Sequence, residues 1–279
     1  MPEGDTVYRQ AKRMHEVLAG QVLTRSDFRV PQLATTDLVG RTVLGVASRG
    51  KHLLHRFSDD LTLHTHLRMD GDWEVRSSPF DERRVRNSFE IRAVLGTAQA
   101  TAVGWRLPVI ELLSTRDEDK AVGYLGPDLL GADWDPDEAV RRLRANPDAT
   151  AADALLEQRN LAGIGNVFKN ELLFLRGLHP DTTVSQISDL RALVDLAHKL
   201  LVANKDRMKR VTTGDPRPGR NVWVYGRAGR ECYRCGTRLL PHKHGVPTQT
   251  TSTTFCPRCQ PEGSGGRQPV RSTADEQTT

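Results

Sequence analysis

Three places in this 279-residue chain hold residues whose types and spacing suit chemistry. The first is Pro2-Glu3, at the start of the chain. Removal of Met1 frees a secondary amine, the one α-amino type able to form an iminium without help from a side chain. An α-amino group has an ordinary pKa of about 7.7–8, so a useful fraction is neutral at pH 7, more so at the positive end of a helix dipole. Glu3 is then an adjacent acid or base, a role that needs burial to raise its pKa. The bland alternative is a stiffened terminus with a helix-stabilising acid. The dipeptide alone does not decide between the two.

The second place is a cysteine set. Cys232-Tyr-Arg-Cys235 and Cys256-Pro-Arg-Cys259 are two CxxC pairs with twenty residues between them, and they account for every cysteine in the chain. That is the ligand spacing of a tetrahedral structural Zn2+ site, and binding of about 10–16 kcal/mol can hold together a hairpin too small to fold alone. Four thiolates leave no open position, so such a zinc is structural. The third place is "GIGN" at 163–166. Its glycines let backbone N–H groups converge, and Asn166 falls at the N-cap of the next helix, which makes a phosphate cradle or an ordinary cap.

These residues need elements to position them. Val7, Ala11, Met14 and Leu18 predict an amphipathic helix over 6–19, with Asp5 or Thr6 as N-cap and Gly20 as the stop. From 21 to about 113, short β-branched and aliphatic stretches (VLTRSDFRV, RTVLGVASRG, KHLLHRF, LTLHTHL, WEV, SFEIRAVL, LPVIELL) alternate with Gly, Asp and Ser turns, the pattern of a sandwich or partly closed barrel. Residues 115–135 are turn-rich, and helices are expected at Asp137–Arg144, Ala151–Gln158, Val167–Arg176 and Ile187–Lys205. A Pro/Gly/Arg-rich connector leads to the cysteines, and Pro261 to Thr279 has the composition of a disordered tail. His64 and His66 share a strand face. Without a third ligand they read as packing or partner-facing residues rather than a metal pair.

Forty Lys+Arg against 35 Asp+Glu give a net charge of +5, and the pI is about 9.2. Both favour a polyanionic partner without identifying it. Mean hydropathy is −0.51; no run approaches the roughly 18 apolar residues of a membrane span, and the charged first twenty residues do not read as a secretory signal. A cytoplasmic, nucleoid-associated protein is the expectation, with its thiols reduced.

Taken together, "PEG" at the amino terminus, "RGKHLL" at 49–54, "HLRMDG" at 66–71, "LGPDL" at 125–129, "GIGN" at 163–166, "VYGR" at 224–227 and the four-cysteine finger ending "CPRCQ" stand in the order of one family. From Pro2 to about Gln260 the chain resembles the formamidopyrimidine-DNA glycosylase and endonuclease VIII family. The resemblance implies an α+β protein: an N-terminal catalytic β-sandwich domain with a leading helix (2–118), a hinge (119–134), a helix-two-turn-helix DNA-binding domain (135–222), a zinc finger (223–260) and a tail (261–279). It implies a monomeric bifunctional base-excision repair glycosylase and AP lyase acting on damaged double-stranded DNA, with one structural Zn2+ on Cys232, Cys235, Cys256 and Cys259.

By the same resemblance Pro2 attacks C1′ of the damaged nucleotide and holds the sugar as an iminium, Glu3 shuttles protons, and Lys51 and Asn166 contact phosphate. Met69, beside Arg68, is the wedge filling the gap left by the flipped nucleotide. Two departures bear on specificity and grip. The finger arginine of many relatives falls at Thr251, leaving Arg258 or Arg234 as substitutes, and "TAVGWRLPVIELL" lacks the Arg-x-Phe wedge pair of the 8-oxoguanine branch. The segments "PEGDTVYRQA" and "RGKHLLHRFSDDLTLHTHLRMDGDWEV" look most like endonuclease VIII, which favours oxidised pyrimidines. A preference for 8-oxoguanine or formamidopyrimidine, and a non-catalytic binder of damaged DNA, are the alternatives. A carboxylate that some endonuclease VIII enzymes carry near the start of the first helix aligns with Thr6.

Overall fold

The computed structural model describes residues 2–77, 88–244 and 251–266. It divides into two compact units, the first comprising Met1–Asp135, Gln158–Gly165 and Leu201–Met208, and the second the remainder.

In the first unit, helix α1 spans Gly4–Leu18. The stripe of Val7, Ala11, Met14 and Leu18 is buried, as a helical repeat of apolar residues requires. The helix starts two residues earlier than its periodicity predicts, with Glu3 as N-cap in place of Asp5 or Thr6. The Glu3 carbonyl accepts the N–H groups of Thr6 and Val7 at 3.0 Å each, and the Gly4 N–H donates to Gly163 O at 2.8 Å. A tertiary bond thus fixes the first turn, which local cap preference could not anticipate.

Eight strands follow: β1 (Arg25–Phe28), β2 (Val43–Arg49), β3 (His52–Phe57), β4 (Leu61–His66), β5 (Asp72–Ser77), β6 (Ile91–Gly96), β7 (Ala100–Trp105) and β8 (Val109–Ser114). They pair antiparallel in two sheets, ordered β2-β3-β4-β8 and β1-β6-β7-β5. Leu53, Phe57 and Leu63 from one sheet join Ala93, Leu95 and Ala102 from the other and the α1 stripe in one buried cluster, so the expected sandwich is what forms. Strand β7 is absent from the sequence expectation, its Thr, Val and Trp being interrupted by two alanines and a glycine that weaken the strand pattern. Pairing on both edges makes it a central strand regardless. Its Gly104 has no room for a side chain, since a Cβ there would lie 2.6 Å from Leu107 Cδ1.

Within the turn-rich stretch after β8, helix α2 (Glu118–Val122) is tied to the sandwich. Arg56 donates to both Glu118 carboxylate oxygens at 2.8 and 2.7 Å, and Thr62 Oγ1 donates to the same carboxylate at 2.7 Å.

In the chain beyond, helices α3 (Pro136–Arg144), α4 (Ala151–Leu156), α5 (Asn166–Arg176) and α6 (Leu190–Asn204) stand near their predicted places. Helix α6 starts three residues late because Val184–Gln186 forms a separate 3-10 turn closed by a Thr183–Gln186 capping box. A hairpin of β9 (Leu240–His244) and β10 (Thr251–Phe255) completes the second unit. Buried Glu171 of α5 accepts three successive backbone N–H groups, from Trp223, Val224 and Tyr225, at 2.7–2.9 Å, which locks the connector before the cysteines. Of the tail, Gly265 O accepts the Ser188 N–H at 2.9 Å, and 267–279 lie outside the described residues. Among the described residues no helix is long and apolar enough to cross a membrane.

Candidate active site

Pro2 immediately precedes the α1 cap, and Glu3 is fully buried. The Glu3 Oε2 atom accepts the N–H of Gly165 at 2.9 Å, so a carboxylate at the chain's start is held by the turn 162 residues away. Three glycines, Gly4, Gly163 and Gly165, make this approach possible. A Cβ on Gly4 would lie 2.9 Å from Gly163 Cα, and one on Gly165 would lie 2.5 Å from Glu3 Cγ and Cδ. Gly163 sits at φ +111, where L side chains are strained.

The turn that follows β2 delivers Lys51 to the same place. Gly50 adopts φ +57, and its N–H donates at 2.7 Å to Oδ2 of Asp128, whose Oδ1 accepts the Leu130 N–H at 3.0 Å. Lys51 Nζ then donates at 2.8 Å to Ile164 O, the carbonyl that also accepts Gln158 Nε2 at 3.0 Å. Gln158 Oε1 accepts the Gly163 N–H at 3.1 Å and so braces the turn from both ends. Burial pushes the Lys51 ammonium below its ordinary 10.5, with the Glu3 charge working against that fall.

The structure therefore brings Glu3, Lys51 and the "GIGN" glycines together on the chain that Pro2 opens. Asp128 and Gln158, which orient this turn, were not singled out from the sequence. An acid and an amide on separate loops leave no periodicity to find. Asp5 is also buried, its Oδ1 accepting the Thr6 N–H at 2.7 Å, so a carboxylate stands one residue before the position where Thr6 replaces the acid of some relatives.

Met69 is 58% exposed on the turn after β4. The turn is held by Gly71 N–H on Leu67 O at 2.9 Å and by the Arg68 N–H on His66 Nδ1 at 3.0 Å. Arg106, in the loop without the Arg-x-Phe pair, donates from Nε to Asp70 O at 3.1 Å and from Nη1 to Glu90 at 2.9 Å. Arg68 and Arg106 both adopt left-handed backbone, at φ +47 and +46, and both line a groove of about 550 Å³ beside Met69.

In the second unit, Asn166 is the first residue of α5, and its Oδ1 accepts Asn170 Nδ2 at 3.1 Å. Asn170 Oδ1 in turn accepts the Thr254 N–H at 2.5 Å. The four cysteines are unpaired as disulfides, with their sulfurs all within 4.8 Å of one another. The Cys235 thiol is pulled down by hydrogen bonds from Thr237, while burial raises those of Cys256 and Cys259. Four soft donors converging at that range suit a tetrahedral cation that takes thiolates. Arg258 is exposed. Arg234, the other arginine inside a CxxC pair, is exposed too and lies 4.4 Å over the Phe174 ring and 5.4 Å from that of Trp223.

A β-sandwich with a buried acid at the helix start, a helical unit and a four-cysteine hairpin is the architecture of a known class. Residues 1–103 match the formamidopyrimidine-DNA glycosylase N-terminal domain, and 125–206 match the H2TH domain of the same proteins. The chain belongs to the formamidopyrimidine-DNA glycosylase and endonuclease VIII family. Within it, the chain is 54% identical over 276 residues to "Probable endonuclease 8 2" of Streptomyces coelicolor, covering 97% of this chain and 99% of the relative. It is 45% identical over 260 residues to "DNA-(apurinic or apyrimidinic site) lyase Nei2" of Mycolicibacterium smegmatis, covering 93% and 99%. A Lactococcus lactis formamidopyrimidine-DNA glycosylase solved in complex with DNA containing an oxidised pyrimidine superposes with a TM-score of 0.76 at 25% identity, over 94% of this chain and 100% of that one.

Proposed function

We propose that this protein is an endonuclease VIII-type DNA glycosylase and AP lyase that removes oxidised bases, pyrimidines in preference, from double-stranded DNA. The observation that carries the site assignment is the buried Glu3 carboxylate pinned by the Gly165 N–H at 2.9 Å, next to Pro2. Once Met1 is removed, the Pro2 nitrogen lone pair attacks C1′ of the flipped nucleotide and the base departs with the electrons of its glycosidic bond. Glu3 takes the proton that the Pro2 nitrogen sheds after attack and returns it to O4′ as the C1′–O4′ bond breaks, giving the iminium, and then accepts protons as the phosphates are eliminated. The position of Pro2 at the positive end of α1 favours the neutral amine this attack needs.

Lys51 supplies the cation for a phosphate near the lesion, and Ile164 O and Asp128 fix its starting point. Asn166 and Arg258 bind backbone phosphate, while Met69, with Arg68 beside it, fills the vacated stack. Cys232, Cys235, Cys256 and Cys259 would hold one Zn2+, which supplies structure to the finger and no chemistry to the reaction. The domain limits read from the sequence (2–118, 135–222 and 223–260) belong to the same proposal.

Borohydride added during reaction with thymine-glycol or abasic DNA is expected to trap a covalent complex whose DNA-linked residue is Pro2. Mature protein that yields no such adduct would refute the mechanism. A cleavage panel of thymine glycol, 5-hydroxyuracil, 8-oxoguanine and abasic DNA tests the substrate class, and faster processing of 8-oxoguanine than of either pyrimidine would overturn the preference.

A further inference from the structure

An unbroken line of hydrogen bonds runs through the first unit among residues the chemistry above does not use. His64 Nδ1 lies 2.7 Å from Glu111 Oε1, His64 Nε2 lies 2.7 Å from His52 Nδ1, and His52 Nε2 lies 3.1 Å from the Tyr124 hydroxyl. Both histidines are buried, while Glu111 and Tyr124 reach the surface. The direction of the line follows from its acid end. An ionised carboxylate only accepts, so His64 carries its proton on Nδ1 and its Nε2 accepts. His52 must then carry its proton on Nδ1, and its Nε2 accepts from the Tyr124 O–H. One carboxylate therefore sets every tautomer.

Two members of this line, His52 and Tyr124, touch the elements that build the site. His52 directly follows Lys51 and stands opposite His66 in register, with the two rings edge to face at 4.6 Å. The Tyr124 ring carries the Arg159 guanidinium 5.3 Å from its centroid, and Arg159 belongs to the segment that presents Ile164 O to Lys51 and the Gly165 N–H to Glu3. The charged groups around the histidines include Lys51, Arg68, Glu111 and Glu118. Burial, with the Lys51 charge adding to it, keeps both His52 and His66 well below the ordinary imidazole range. A buried polar chain of this kind is worth having only when complete, because a half-satisfied one leaves an unpaired ring nitrogen inside the protein.

We propose that Glu111, His64, His52 and Tyr124 are positioning residues, a tautomer-locked relay that holds Lys51 on one side and the Arg159–Gly165 turn on the other. The inference rests on the function proposed above for its kinetic consequence, though not for its hydrogen-bond polarity.

The test uses full-length protein with histidine 15N NMR and single-turnover cleavage of abasic DNA. Wild type should show His52 and His64 as Nδ1–H tautomers. Glu111→Gln keeps the line in either direction, because the amide oxygen can accept the His64 Nδ1–H as the carboxylate does, or the amide N–H can donate to Nδ1. Connectivity is retained, so its cleavage rate should stay within about twofold of wild type, whereas Glu111→Ala should slow cleavage about tenfold with little change in Kd for tetrahydrofuran-site DNA. Tyr124→Phe removes only a surface hydroxyl and should also slow cleavage, which keeps the test decisive if Glu111→Ala folds poorly. Nε2–H tautomers in wild type, wild-type rates in both breaking variants, or a Glu111→Gln rate as low as that of Glu111→Ala would each overturn the relay. A wild type that cleaves nothing would instead sink the proposed function, and the tautomers would still judge the hydrogen-bond line.

Discussion

Gly165→Ala is the substitution that most directly interrogates the arrangement of Glu3. Gly165 is not among the residues with left-handed backbone, so alanine is acceptable to its own chain. The obstacle is spatial: the new Cβ would sit 2.5 Å from Glu3 Cγ and Cδ and 2.8 Å from Oε1. Carbon contacts settle at about 3.5–4.0 Å, so Glu3 has to retreat by roughly 1 Å. That movement stretches its 2.9 Å hydrogen bond from the Gly165 N–H. A buried carboxylate losing a donor costs about 1–3 kcal/mol and overpacking a further 1–3, against about 0.4–1 returned by the stiffer unfolded chain. The net expectation is about 1–6 kcal/mol of destabilisation. The kinetic loss should be larger in kind, since general acid–base catalysis contributes about 10²–10⁴-fold and depends on placement.

Single-turnover borohydride trapping on abasic DNA should therefore slow by about a hundredfold or more, while affinity for tetrahydrofuran-site DNA changes by no more than a few-fold. Gly20→Ala supplies a matched control. Gly20 sits at φ +77 with nothing within 4 Å of the added carbon, so the substitution strains the backbone far from Glu3 and should lower the melting temperature without slowing trapping. If Gly165→Ala melts lower yet traps at the wild-type rate, the placement of Glu3 does not control the reaction.

Acid should loosen the sandwich through His55, which is fully buried with its pKa pushed by burial to about 4 from an ordinary 6.5. The unfolded chain binds the proton first, so stability is full above pH 6.5, falls as pH drops from there toward about 4, and levels off below that. Urea midpoints measured from pH 7 to 4 should decline less steeply in His55→Gln, and an unchanged slope would count against the assignment. Because burial lowers the Lys51 pKa, lesion binding should weaken on the alkaline side at lower pH than an ordinary lysine allows. Lys51→Arg should move that limb upward, and an unmoved limb would mean that Lys51 does not carry it. Stripping metal from the cysteine site with a chelator should unfold the hairpin and cut DNA affinity at least tenfold, measured by anisotropy with re-addition of Zn2+ as the rescue. Protein that retains Met1 should bind abasic DNA yet give no trapped adduct.

The sequence alone carried the features whose physics is local. Apolar spacing placed α1 and most strands, because burying one face is the same requirement at every turn. The two CxxC pairs announced a metal centre, because only a few spacings let four sulfurs reach one ion. Motif order, rather than any single residue, was what set Pro2 apart from a stiff terminus. Tertiary structure decided the rest. It started α1 at Gly4 through a bond from the Gly4 N–H to Gly163 O, made a central strand of the alanine- and glycine-rich β7, and stacked Arg234 on Phe174. It also recruited Asp128 and Gln158 to shape the turn at Lys51 and joined Glu111, His64, His52 and Tyr124 into one line. Those partners lie from six residues apart, for Gln158 and Ile164, to 78, for Gly50 and Asp128, on different loops and strands. No periodicity links them, and only the closing of the chain brings a donor within 3 Å of its acceptor.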